Sequence, residues 1–302
     1  MTSREKTSAR RMGEFPEAPE PLTVPVIDSH THLDITVHEA GVPGSAGGAG
    51  MPGSAEAGDP VQRLVDAAAS VGVDRLVQVG VDVASSRWGA ELAAKHRSVL
   101  AAVALHPNDA PRLGAGLDAA LREIEALAAQ DRVRAIGETG LDTFRTGEQG
   151  RAAQEESFRA HIGFAKRYGK ALMIHDRDAH ADVLRVLDAE GAPDTVVLHC
   201  FSGDEEFAAE CVRRGYLLSF AGTVTFKNAE HLRAAARITP PEHLLVETDA
   251  PYLTPSPYRG RPNASYLIPL TMRVLAETTG RDLDGLCAAV SANGERAFGP
   301  WG

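Results

Sequence analysis

Eight short runs rich in aliphatic and β-branched residues punctuate this chain, at 24–28, 75–81, 99–105, 133–138, 171–175, 195–199, 216–220 and 244–248. Between them lie longer stretches of helical periodicity. Leu117, Leu121, Ile124 and Leu127 recur at spacings of three and four, which is one face of a helix. Similar patterns occupy about 61–71, 84–97, 151–168, 179–190, 204–214 and 228–237, and two more close the chain near 265–279 and 282–297. Seven of the eight apolar runs lack polar alternation, so their strands need cover on both faces. Strands of that kind alternating with helices pair in parallel. Eight such units predict an α/β fold, a closed (β/α)8 TIM barrel formed by one domain over 23–302, with a doubly wound open sheet as the rival.

Two segments fall outside the pattern. Residues 1–22 carry Arg4, Lys6, Arg10 and Arg11, but the chain then reads MGEFPEAPEP where an export signal needs an apolar stretch. They are expected to form a disordered tail. Residues 41–58 are almost all Gly, Ala, Pro and Ser, which predicts a flexible insertion within the domain. Cys200, Cys211 and Cys287 are odd in number and lack CxxC spacing, so a reducing, cytoplasmic location is expected. No run approaches the ~20 apolar residues of a membrane helix. The net charge of −10 argues against a general coat of nucleic acid or anionic lipid. A monomer is the expected state.

The chemistry collects where the strands end. The first run passes into Asp28-Ser29-His30-Thr31-His32, the fourth ends at Glu138, the fifth at His175, the sixth at His199, and the eighth runs through Glu247 to Asp249. In a parallel barrel all these ends meet on one rim. The strand period of two turns His30 and His32 to the same side. A single histidine ending a strand is ordinary; four with two carboxylates predict a metal centre. Nitrogen and oxygen donors suit Zn²⁺, Mn²⁺, Fe²⁺, Co²⁺ or Ni²⁺, with Mg²⁺ less at ease. Six donors suit two ions better than one, because a catalytic ion keeps a position open. No lysine ends a strand, so Glu138 is the simplest bridge. His106, in Leu105-His106-Pro107, is a further rim residue suited to substrate binding. His38, His96, His161, His180, His231 and His243 are expected to be solvated.

The stretches DSHTHLD (28–34), ALHP (104–107), IGETGLD (136–142), IHDRDA (174–179), HCFSG (199–203), GTVTFKNA (222–229) and ETDAPYLTP (247–255) span nearly the whole chain from 28 to 261. With them the sequence resembles the TatD family of metal-dependent deoxyribonucleases, within the amidohydrolase-like barrels. The resemblance implies one ion held by His30, His32 and Asp249, a second by His175 and His199, and Glu138 shared between them. There are two departures. The loop after the first strand carries the 41–58 insertion, and the family's Glu-Pro after Asn263 is replaced by Ala264-Ser265.

A divalent ion lowers the pKa of its water toward ~7 and so supplies hydroxide at neutral pH. Asp249 is suited to orient that water and take its proton. Two ions bring about +4 against about −2 from Glu138 and Asp249, so the pocket draws an anion despite the acidic chain. Arg177, two residues past His175, is the candidate phosphate clamp, unless Asp178 or Asp204 pairs with it; Arg145, Lys227 and Arg259 are weaker candidates. A phosphodiesterase acting as a 3′→5′ exodeoxyribonuclease on a DNA strand is the leading expectation, by resemblance. Carbonyl hydrolysis by an amidohydrolase, lactonase or D-aminoacyl-tRNA deacylase is the alternative. A non-catalytic metal scaffold is the third reading, which a missing donor would have favoured. Aromatic residues are only 5%, which predicts no stacking stripe for tight, sequence-reading nucleic-acid binding.

Overall fold

The structure, a computed structural model, describes residues 14–39 and 59–301. Its eight strands are β1 (Val26–Thr31), β2 (Val73–Val79), β3 (Val99–Val103), β4 (Val133–Asp142), β5 (Ala171–Arg177), β6 (Val196–Leu198), β7 (Leu217–Phe220) and β8 (Leu244–Val246). Each pairs in parallel with the next, in the order β1 to β8. A parallel bridge between Thr31 and Ala250 brings the last strand's end back to the first. The Asp249 amide donates to the His30 carbonyl (2.9 Å), and the His32 amide to the Ala250 carbonyl (2.8 Å). The expected TIM barrel is therefore present, and the open sheet is not. The helices that follow the strands are α1 (Leu33–Glu39), α2 (Pro60–Ala69), α3 (Val83–Lys95), α4 (Ala110–Leu113), α5 (Leu117–Ala128), α6 (Glu148–Tyr168), α7 (His180–Glu190), α8 (Glu205–Arg213), α9 (Glu230–Ile238), α10 (Ile268–Thr279) and α11 (Leu283–Phe298).

Alternate residues of the strands divide between two cores. Ile27, Val77, Val79, Leu100, Ala102, Ala135, Ala171, Met173, Val197, Leu217 and Leu245 fill the barrel, together with Phe298 and Trp301. The Trp301 indole donates to the Ser98 carbonyl (3.1 Å), just before β3, so the chain's end plugs the N-terminal mouth. The other parity packs outward against the helices. Only the C-terminal mouth is left for chemistry.

Two expectations change, one at the edge of the domain and one inside it. Residues 14–22, expected to be disordered, are packed. Phe15 lies against Tyr266, whose hydroxyl donates to the Pro16 carbonyl (2.7 Å). Arg261 donates to the carbonyls of Glu14 (2.9 Å) and Phe15 (2.6 Å), and Leu22 is buried with its amide bonded to Val71. The segment is polar in composition, but its few apolar groups and its carbonyls find partners far away in sequence. Residues 1–13 and the insertion expected at 41–58 lie outside the described residues. His161, expected to be solvated, is fully buried on α6. Its Nδ1 donates to the Ser157 carbonyl (2.6 Å) and its Nε2 accepts the Leu105 amide (3.1 Å), which fixes the turn that carries His106.

Candidate metal centre

Local irregularities in two strands aim the rim residues inward. Ile27 faces the barrel interior, and strict alternation would carry Ser29 and Thr31 inward after it. The register between β1 and β2 shifts between Asp28 and Thr31, however, and His30 and His32 take the inward positions. The β4–β5 register shifts between Ile136 and Thr139, where one extra β4 residue opposes β5. A Cβ on Gly137 would lie 2.4 Å from the Met173 Cβ, so only glycine lets β4 come that close before Glu138 enters the mouth. His175, His199, Glu247 and Asp249 follow simple alternation from Met173, Val197 and Leu245.

The first donor group is a triangle. His30 Nε2 and His32 Nε2 are 3.2 Å apart, and Asp249 Oδ1 lies 3.6 and 3.4 Å from them. Two ligands of a tetrahedral ion with bonds of about 2.0–2.1 Å stand about 3.3 Å apart, so the triangle has the size a divalent ion requires. The outer nitrogens set which atom each ring offers. His32 Nδ1 donates to the Val79 carbonyl (2.9 Å), and His30 Nδ1 faces the Met173 sulfur (3.1 Å). The two Nε2 lone pairs therefore converge beside carboxylates, which positive charge alone stabilises. Burial works to lower the His32 pKa, yet Asp249 and Glu138 push it up to about 9. The group attracts positive charge, as protons or as a cation.

Glu138 joins this triangle to a second group. Its Oε2 lies 3.5 Å from His30 Nε2, while its Oε1 lies 2.6 Å from His175 Nδ1 and 2.8 Å from His199 Nε2. Each of these two rings is braced from behind by another carboxylate. Asp142 Oδ2 sits 3.3 Å from His175 Nε2, and Glu247 Oε1 sits 3.2 Å from His199 Nδ1. Carboxylate–imidazole braces of this kind orient metal-binding histidines and raise their basicity. Burial works to raise the Glu138 pKa, but His199, His106 and His175 outweigh it and hold the carboxyl well below its ordinary value. Among the described residues, the sets His30–His32–Asp249, His30–His199–Glu247 and His106–Glu138–His175 each bring their donor atoms close enough to share an ion.

A family model for TatD-related DNases matches residues 27–299. The chain belongs to the TatD family. It is 47% identical over 278 residues to a Mycobacterium tuberculosis protein named uncharacterized metal-dependent hydrolase TatD, a match covering 91% of this chain and 98% of that one. It is 34% identical over 243 residues to the Citrobacter rodentium 3′-5′ ssDNA/RNA exonuclease TatD, covering 78% of this chain and 90% of that one. The crystal structure of the TatD homologue YJJV from Escherichia coli superimposes with a TM-score of 0.77 at 26% identity, over 90% of this chain and 97% of the other. The chain is thus a metal-dependent hydrolase of the TatD type.

The remaining rim candidates of this TatD chain differ in placement. The Arg177 guanidinium lies 4.1 Å above the Phe144 ring, and among the described residues it pairs with neither Asp178 nor Asp204. His106 Nδ1 accepts the Asn108 amide (3.0 Å), which leaves Nε2–H to donate toward Glu138 Oε1 at 3.4 Å. In that tautomer His106 is a donor at the mouth. The backbone amide of Arg145 donates to Asp142 Oδ1 (2.8 Å) and its side chain is exposed. Arg259 stacks on Phe226 at 4.0 Å, and Lys227 is exposed beside it. Sequence reasoning gave Asp142 and Glu247 no bracing role, although Glu247 shares the strand parity of Asp249. It also passed over Asp28, which is buried between β1 and β8. Asp28 accepts the Thr248 amide (3.0 Å) and hydroxyl (2.6 Å), and burial pushes its pKa up to about 7.

Proposed function

We propose that this TatD chain is a phosphodiesterase that acts on a DNA strand as a 3′→5′ exonuclease, with two divalent ions. In this reading His30, His32 and Asp249 hold one ion, His175 and His199 the other, and Glu138 is shared. The donor geometry, with one Glu138 oxygen turned to each group, supports the two-ion arrangement. Bound divalent ions supply an acidified water and positive charge opposite the phosphoryl oxygens. The protein's own groups do the rest. Asp249, tied by its amide to His30, accepts a proton at its carboxylate. His106 Nε2–H and the Arg177 guanidinium bind non-bridging oxygens as charge builds there. Arg145 and Arg259 line the outer path of the strand.

The observation that carries the choice of phosphodiester over carbonyl substrate is Arg177. A guanidinium at the mouth, two residues past His175 and paired with no carboxylate among the described residues, is suited to an anion. The name of the Citrobacter rodentium relative agrees. The test assays metal-loaded protein on a labelled single strand and on a panel of carboxylic esters and lactones. Arg177→Ala is expected to lower kcat/KM on the strand roughly 100-fold with metal content intact, and Arg177→Lys to recover only part of it. Turnover confined to the carbonyl panel, insensitive to Arg177, would replace this reading by the carbonyl one.

A further inference from the structure

Only four large hydrophobic side chains are exposed among the described residues, and the two aromatic ones follow strand ends that carry the metal donors. They are Phe144 at 64% and Tyr252 at 46%; the others are Leu113 and Ile238. Phe144 follows β4 two residues after Asp142, the brace of His175. Tyr252 follows Asp249 by three, and its ring meets His32 edge-on at 6.2 Å. Ring contacts cross the centre between these ends, from His32 to His30 (5.0 Å), to His199 (4.0 Å) and to His175 (5.7 Å). Tyr252 thus flanks the first donor group, and Phe144, under the Arg177 guanidinium, follows the strand ends that carry Glu138 and His175.

We infer that Phe144 and Tyr252 are stacking platforms for the nucleobases on either side of the scissile phosphate; this rests on the phosphodiesterase reading above. An exposed aromatic face costs hydration unless something flat covers it, and every base offers a π-face whatever its sequence. The Arg177 guanidinium already lies on one face of Phe144, which supplies charge for the backbone and a rigid ring for the base in one unit. The low aromatic content of the chain gave no hint of this. The few aromatic residues that are exposed are concentrated where a strand must pass. Stacking binds without reading sequence, which suits an exonuclease that must accept each successive end. Leu113 and Ile238, exposed on α4 and α9, are apolar without being flat and serve as controls.

The test compares a labelled single strand with the same strand made abasic at its terminal two nucleotides. Anisotropy binding without turnover and kcat/KM with metal are both measured. Phe144→Ala and Tyr252→Ala are each expected to lower the ratio of base-bearing to abasic kcat/KM roughly tenfold, and to weaken binding of the base-bearing strand to match. Phe144→Trp and Tyr252→Phe should preserve the ratio, and Ile238→Ala should leave it unchanged. An unchanged ratio in both alanine variants, with the wild-type protein degrading DNA, overturns the stacking inference and leaves the phosphodiesterase reading standing. A wild-type protein that neither binds nor cleaves the strand overturns both.

Discussion

At the scale of single residues, His161 shows what burial does to a titratable ring. It is fully buried, and burial drives its pKa down to about 4, with the Ser157 carbonyl opposing only in part. The unfolded ring titrates near 6.5. Between those values the unfolded chain binds the extra proton, so His161 contributes full stability above about pH 6.5. That contribution is lost as the pH falls toward 4, at about 1.4 kcal/mol per unit. His161→Gln removes this titration. Unfolding free energies measured from pH 7.5 to 4 should converge, the wild-type advantage at high pH shrinking by about 3 kcal/mol at the acid end. The difference between the two proteins cancels the titration of the rim histidines, which both share. Parallel curves would show that His161 does not titrate as a buried ring. The sequence did carry the signal: position 161 lies on the same helical face as Phe158, Ile162 and Ala165, all buried. Glu247 carried only the strand parity of Asp249 and Asp142 not even that, because nothing in the sequence tells an acid that braces a ring from a solvated one.

At the scale of elements, the strands and helices were legible because each has a period, and the barrel followed from their alternation. What escaped lacks a period. The segment 14–22 has no regular structure and is held by residues about 250 positions away, Tyr266 above all. The bulges in β1 and β4 are likewise invisible as patterns. Simple alternation already put His30 and His32 on one side, but which side faces the barrel depends on the register shift between Asp28 and Thr31. The N-terminal segment also lines a cavity of about 490 Å³ with Thr36, Phe226, Arg259 and Arg261. Tyr266→Phe removes the buried hydroxyl's bond and leaves the Pro16 carbonyl unpaired. It should cost about 1 kcal/mol, a fall in Tm of about 2 °C. A chain starting at Leu22 should lose more, since Phe15 and Pro16 go as well. Equal melting of all three proteins would mean that the segment is not packed in solution.

At the scale of the whole molecule, an acidic chain presents one mouth built to gather positive charge. The chain carries −10, yet the described rim turns four carboxylates, Glu138, Asp142, Glu247 and Asp249, toward the imidazoles of His30, His32, His106, His175 and His199. No helix among the described residues is long and apolar enough to cross a membrane. Attraction of an anionic strand must then come from the centre and Arg177, so activity should depend on metal loading more than on the surface charge. Everything proposed about the reaction depends on Glu138 serving both donor groups. The most direct measurement is elemental analysis of dialysed, reconstituted Glu138→Gln beside the wild type, with folding verified by circular dichroism. The wild type should saturate near two divalent ions per chain, and Glu138→Gln should lose affinity at both sites together. A folded wild type that saturates at one ion, or a variant that keeps both at unchanged affinity, would contradict the shared carboxylate.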